Sequence, residues 1–214
     1  MKIIERKIGE FFCKRMLKPI RSKQDVILLL LETLKLINDT EKISNERGKI
    51  IIYVDKMSRV FYETDDKMFS FYFPFALDEK EPESYRIYDT LTDLEISNQM
   101  ISLLISIFKK DGKLGESLEY VMDYIIESAE DYEYRNIDDI WRVLFRLWYT
   151  EDGYIRYDHD PEHENSKLHP LYHLDVNYSS GCTYKIGLNN SFQADDFRNI
   201  LDITTDSFYL TSKG

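Results

Sequence analysis

The chain has 214 residues and a formal net charge of −11, which is long enough for one domain, or one domain of two lobes, with a self-sufficient core. That acidity argues against direct binding of nucleic acid without a basic partner, since the phosphate backbone would be repelled. Two cysteines, Cys13 and Cys182, exclude a disulfide scaffold, and the longest apolar run, Val26 to Leu31, is too short to span a bilayer.

In chain order, Ile4, Ile8, Phe11, Phe12 and Leu17 fall near helical spacing and predict a helix over 3–17; Lys2, Arg6, Lys7, Lys14, Arg15, Lys18, Arg21 and Lys23 make this the one strongly basic region, which reads as a solvated helix face rather than a binding patch. Val26, Leu30, Leu34 and Ile37 predict a second over 24–38, capped by Ser22. The β-branched run 49–54 and the run 59–63 read as a hairpin, followed by an aromatic strand over 68–75 and an acidic loop over 78–83. Helices follow over 91–109, closed by Lys110-Asp111-Gly112, and over 114–130. Residues 137–149 fit both periods. They read as a helical turn and then a strand, with Asp152-Gly153 turning into a strand at 154–158. Strands over 172–178 and 182–188, joined through Ser179-Ser180-Gly181, precede a helix over 193–207 carrying Phe197, Ile200 and Leu201. The fold class is α+β: N-terminal and central helices with small antiparallel sheets, and a C-terminal helix packed on the late sheet. The lobes would be 1–135 and 136–214.

All four histidines, His159, His163, His169 and His173, lie in one stretch interleaved with aspartates. Alternation sorts the late strands into two faces. Ile155, Tyr157, Leu174, Val176, Tyr178, Tyr184, Ile186 and Leu188 form an apolar face that suits the last helix. Arg156, Asp158, His173, Asp175, Asn177, Thr183 and Lys185 form a polar one. Arg156, Asp158, His173 and Asp175 are the candidate catalytic residues. His173 would move a proton, Asp158 or Asp175 would orient its ring, and Arg156 would hold a phosphate. The same face could equally be a solvated side of an antiparallel sheet.

No metal is assigned. Pro170 argues against one helix carrying both His169 and His173, and an extended strand would part them by about 13 Å; a set drawn from different strands would be Asp158, His173 and Asp175. Pairing Cys182 with His173 as a nucleophile is weaker, since a lone cysteine is more often a small apolar filler. No cofactor is expected, because no phosphate-binding glycine loop or dinucleotide fingerprint is present. The N-terminus shows no signal peptide, so the expected location is cytoplasmic.

Arg156-Tyr157-Asp158-His159-Asp160-Pro161, His169-Pro170-Leu171-Tyr172-His173-Leu174 and the terminal Phe208-Tyr209 resemble the C-terminal signature of a bacterial family catalogued as domain of unknown function 2290. The resemblance covers about the last 60 residues, and Tyr184-Lys185-Ile186-Gly187 departs from an Arg-Ile-Pro-like strand. It implies a passenger of mobile or defence gene clusters, and it implies no chemistry. The expected function is an accessory or structural subunit of a bacterial, anti-phage-defence or mobile-element type complex. It would act through contact with a protein partner encoded nearby, with the acidic surface and tyrosine-rich strands as motive. The alternative is a nuclease-like toxin or effector using the polar sheet face.

Overall fold

Lys2 to Ile8 forms strand β1 (Lys2–Ile8), which buries Ile4 and Ile8 on one side and leaves Ile3, Glu5 and Lys7 exposed on the other. The structure is a computed structural model and describes residues 2–39, 43–64, 67–109, 118–131, 136–178 and 181–209. The helix expected over 3–17 is therefore present only in its second half, as α1 (Glu10–Met16). The two-residue period prevails because β1 has a partner: it runs antiparallel to β2 (Gly48–Val54), with Ile4 opposite Ile52 and Ile8 opposite Gly48.

The expected hairpin is β2 with β3 (Arg59–Glu63), and the aromatic strand is β4 (Lys67–Tyr72). The late strands are β7 (Ile155–His159), β8 (Tyr172–Val176) and β9 (Tyr184–Leu188). The early and late sheets are one. β4 lies antiparallel to β7, Lys67 opposite Asp158 and Ser70 opposite Ile155, closing a seven-stranded antiparallel sheet in the order β1-β2-β3-β4-β7-β8-β9. Residues 179–180 of the expected turn between β8 and β9 lie outside the described residues.

The chain forms two compact units interleaved in sequence: residues 1–19, 43–72 and 153–214, and residues 20–42 and 73–152. The first holds the seven-stranded sheet, α1, and α6 (Ala194–Asn199), the remnant of the helix expected over 193–207. That helix stops early because the Asp202 side chain accepts from the backbone N–H and hydroxyl of Thr204, a turn that competes with the helical ladder. One sheet face meets α6 through Ile51, Phe61, Met68, Tyr157, Leu174 and Phe197. Phe61 and Phe197 meet edge to face at 6.0 Å, and Arg198 reaches back to the Glu63 carboxylate.

The second unit packs α2 (Lys23–Ile37), α3 (Asn98–Lys109), α4 (Leu118–Asp131) and α5 (Ile137–Tyr149) with a hairpin of β5 (Phe75–Glu81) and β6 (Ser84–Asp89). Ser22 caps α2 as expected, in a capping box with Asp25. The acidic stretch 78–83 is this hairpin rather than a loop, because Phe75, Leu77 and Ile87 supply a buried alternating face. α3 begins at Asn98, not at 91: Asp89 accepts from the backbone and hydroxyl of Thr92 and holds the preceding residues in a turn. The stop expected at Lys110-Asp111-Gly112 and the start of the next helix, 114–117, lie outside the described residues. Residues 137–149 are helical throughout, since Ile140, Val143, Leu144 and Leu147 form one buried stripe. Asp152-Gly153 turns the chain out of that helix, and Gly153 takes a φ of 53°. Among the described residues, no helix is long and apolar enough to cross a membrane.

Candidate functional site

The late strands sort as their alternation predicts. Arg156 stands opposite Asp175, Asp158 opposite His173, and Asp175 opposite Lys185, all on one face. The four sequence-predicted site residues therefore meet, and Lys185 joins them. Lys67 enters from β4 as the neighbour of Asp158, a residue that alternation cannot reveal, because β4 and β7 lie far apart in sequence.

Arg156 bridges the two carboxylates. Its Nε donates to Asp158 Oδ2 at 2.7 Å, and its Nη2 donates to Asp175 Oδ2. One guanidinium thus serves two carboxylates through separate N–H groups, each a charge-assisted hydrogen bond, which its spread of fixed donors allows. Burial works against the Arg156 charge, but Asp158, Tyr154 and Asp175 outweigh it and hold its pKa above the ordinary value. Lys185 Nζ donates to Asp175 Oδ1 at 2.7 Å and to His173 Nε2 at 2.8 Å. Burial first, then the Arg156 charge, push Lys67 down to about 8, while Burial pushes Tyr154 up to about 12.

His173 is completely buried. Its Nδ1 lies 2.8 Å from the Pro170 carbonyl, which can only accept, so Nδ1 carries the proton and Nε2 is the lone pair that receives the Lys185 ammonium. Both ring nitrogens are thus committed, and neither faces an incoming substrate. Asp158 Oδ2 and Asp175 Oδ1 stand 3.7 and 3.9 Å from Nε2. Burial is the largest influence on His173 and lowers its pKa, with the Lys185 charge in the same direction.

This shift fixes a sign. An unfolded histidine takes up a proton near pH 6.5, whereas the folded, buried His173 does so only at lower pH. The unfolded state therefore binds more protons in that window, and stability is present above pH 6.5 and falls as pH drops toward the depressed folded value. Urea midpoints measured from pH 8 to pH 5 should decline below about 6.5, and the decline should be reduced in His173→Asn. Equal slopes in the two proteins would remove the assignment.

The loop before β8 is built around the cluster. Asp160 accepts from His163 Nδ1 at 3.0 Å and pairs with His169 Nε2 at 3.2 Å. The separation expected for an extended His169-to-His173 segment does not occur: His169 lies ahead of β8, and its ring meets His173 edge-on with centroids 4.7 Å apart. Pro170 lies over β9, where a Cβ on Gly187 would come within 2.8 Å of its ring, so glycine there lets the loop close. His159 and His163 are exposed, and His159 stacks on Tyr172.

Among the described residues, Asp158, His173 and Asp175 are the group that could hold a metal, each offering one ligand atom within 4.8 Å of the others. The Lys185 ammonium already touches two of the three, so a metal would have to displace it. Cys182 is exposed and lies five residues before Gly187, the register partner of His173, about 17 Å along an extended strand. The geometry does not bring it to the histidine.

No protein-family model, curated protein or solved structure matches this chain.

Proposed function

We propose that this protein is a subunit of a bacterial complex and works by contact with a protein partner, with its polar sheet face serving as an internal clamp. The observation that carries this reading is the closure of the cluster: His173 has no exposed surface, and both its ring nitrogens are engaged. A general base needs a free nitrogen within reach of the proton it takes. A clamp needs what is found here, a neutralised set of charges joining β7, β8 and β9 to the loop. Large apolar side chains stand out at the surface instead, among them Leu91 at 77% and Tyr149 at 71% exposure. The resemblance of the last 60 residues to a family of mobile and defence clusters sets the context for the complex.

The convergence of Asp158, His173 and Asp175 is what speaks for the toxin alternative. One experiment separates the two. The tagged full chain and His173→Gln are isolated from the host that carries the gene, with subunit stoichiometry by mass spectrometry and metal by elemental analysis. A stoichiometric partner held by both proteins, without metal, is the expected result. A metal or nucleic acid bound to the wild type and lost in a folded His173→Gln would overturn the reading in favour of an active site.

A further inference from the structure

Helix α5 carries two apolar stripes where folding needs one. Ile140, Val143, Leu144 and Leu147 are buried and account for its place in the second unit. Trp141, Phe145 and Tyr149 follow at intervals of four, a spacing that aligns side chains along a single line of a helix. Their rings form a ladder with centroids 5.9 and 4.3 Å apart. Phe145 is 47% and Tyr149 71% exposed. A merely solvated helix face has no use for three aromatics, which bury more area per residue than other side chains and are enriched where proteins meet.

A hollow of about 450 Å³ runs between this ladder and the turn carrying Leu91. Its floor is held and neutral: Arg146 pairs with Asp89 at 2.5 Å and donates to the Pro74 carbonyl at 3.2 Å. At its rim the Arg142 guanidinium is 61% exposed, and among the described residues its ion pair is a loose one, with Asp139 of the same helix at 4.0 Å. The surface is therefore apolar along its length, with a cationic group at one edge. The ladder spans about 12 Å, two helical turns at about 1.5 Å per residue, which matches anchors at i, i+4 and i+7 of a facing helix.

We propose that the outer face of α5, with Leu91, is the docking surface for an amphipathic helix of a partner protein, one that presents apolar anchors to Trp141, Phe145 and Tyr149 and a carboxylate to Arg142. This rests on the reading of the chain as a protein-contact subunit and names where that contact is made. A second copy of the chain is a poorer occupant, since each copy adds a net charge of −11 to the pair.

The test replaces Tyr149 by the photo-crosslinker p-benzoylphenylalanine in the full chain and irradiates cells of the host, with the crosslinked segment sequenced by mass spectrometry. One foreign segment is expected, with apolar residues at helical spacing and an acidic residue beside them. Its yield should fall at least tenfold in Phe145→Asp and in Arg142→Glu, and stay unchanged in Phe11→Ser, which removes an exposed aromatic elsewhere. Unchanged melting curves confirm that the variants fold; if Phe145→Asp does not fold, Phe145→Ser takes its place. A crosslink only to another copy of this chain, to nucleic acid or to lipid overturns the surface. So does the absence of any crosslink while the wild-type chain still isolates a stoichiometric partner. If the wild type isolates no partner at all, the subunit reading itself falls.

Discussion

Replacing Arg156 by methionine should destabilise the first unit by about 3 kcal/mol, because it strands the half-buried Asp158 carboxylate and takes from Asp175 one of its two cations. Asp175 is 9% and Asp158 18% exposed in their side chains, so water compensates only a fraction of the loss. Methionine keeps the length and apolar contact of the Arg156 stem, which confines the change to charge and hydrogen bonding. Lys185 still meets Asp175, but among the described residues Arg156 is the only donor hydrogen-bonded to the Asp158 carboxylate. Arg156→Lys should fall between wild type and Arg156→Met, since an ammonium retains the charge but not the fork. Urea denaturation followed by circular dichroism measures all three. A loss under about 1 kcal/mol in Arg156→Met would place the network among surface ion pairs of little worth and overturn its role as a clamp. A large loss that leaves the partner stoichiometry of the folded fraction intact would separate the stabilising role of the cluster from any direct role in contact.

The most legible part of this chain is the set of late strands, whose side chains alternate without a break. The polar and apolar faces of β7, β8 and β9 could be sorted from alternation alone, and Arg156, Asp158, His173, Asp175 and Lys185 stand on one face as that sorting requires. What alternation cannot show is which strands meet across a gap in sequence. β4 and β7 are hydrogen-bonded, yet a hairpin and three helices lie between them in the chain, so Lys67 could not be placed beside Asp158. The same insertion explains why the division falls away from residue 135: the second unit draws its α2 from before β2 and the rest from between β4 and β7. Residues 137–149 misled for a different reason. Trp141, Val143, Phe145, Leu147 and Tyr149 alternate because two helical stripes, one inward and one outward, interleave on α5. A helix apolar on two sides imitates a strand, and the misreading concealed the aromatic ladder. Neither the loop's return over Gly187 nor the approach of His169 to His173 leaves a periodic signal.

Phe197→Ala should cost more than any other single truncation on the apolar sheet face, about 3 to 5 kcal/mol. Phe197 is completely buried and is the residue of α6 that enters the core of Ile51, Phe61, Met68, Tyr157 and Leu174. α6 has six residues, far below the length at which a helix holds in water without tertiary packing. Removing the ring therefore opens a cavity and also weakens the anchor that fixes the helix to the sheet. A second loss follows from the first. Arg198 lies on the same helix and donates to Glu63, which is 5% exposed; as α6 loosens, that buried carboxylate keeps, among the described residues, the Lys49 ammonium at 3.4 Å. Phe197→Leu keeps most of the volume and should cost about 1 kcal/mol, with the Glu63 contact retained. Hydrogen exchange distinguishes the two steps: in Phe197→Ala the α6 amides should lose protection together, while those of β7 and β8 change less. If Phe197→Ala costs less than about 1.5 kcal/mol, or leaves α6 as protected as in the wild type, then the helix is held by its rim contacts, Tyr157 with Phe192 and Arg198 with Glu63, rather than by the ring at its centre.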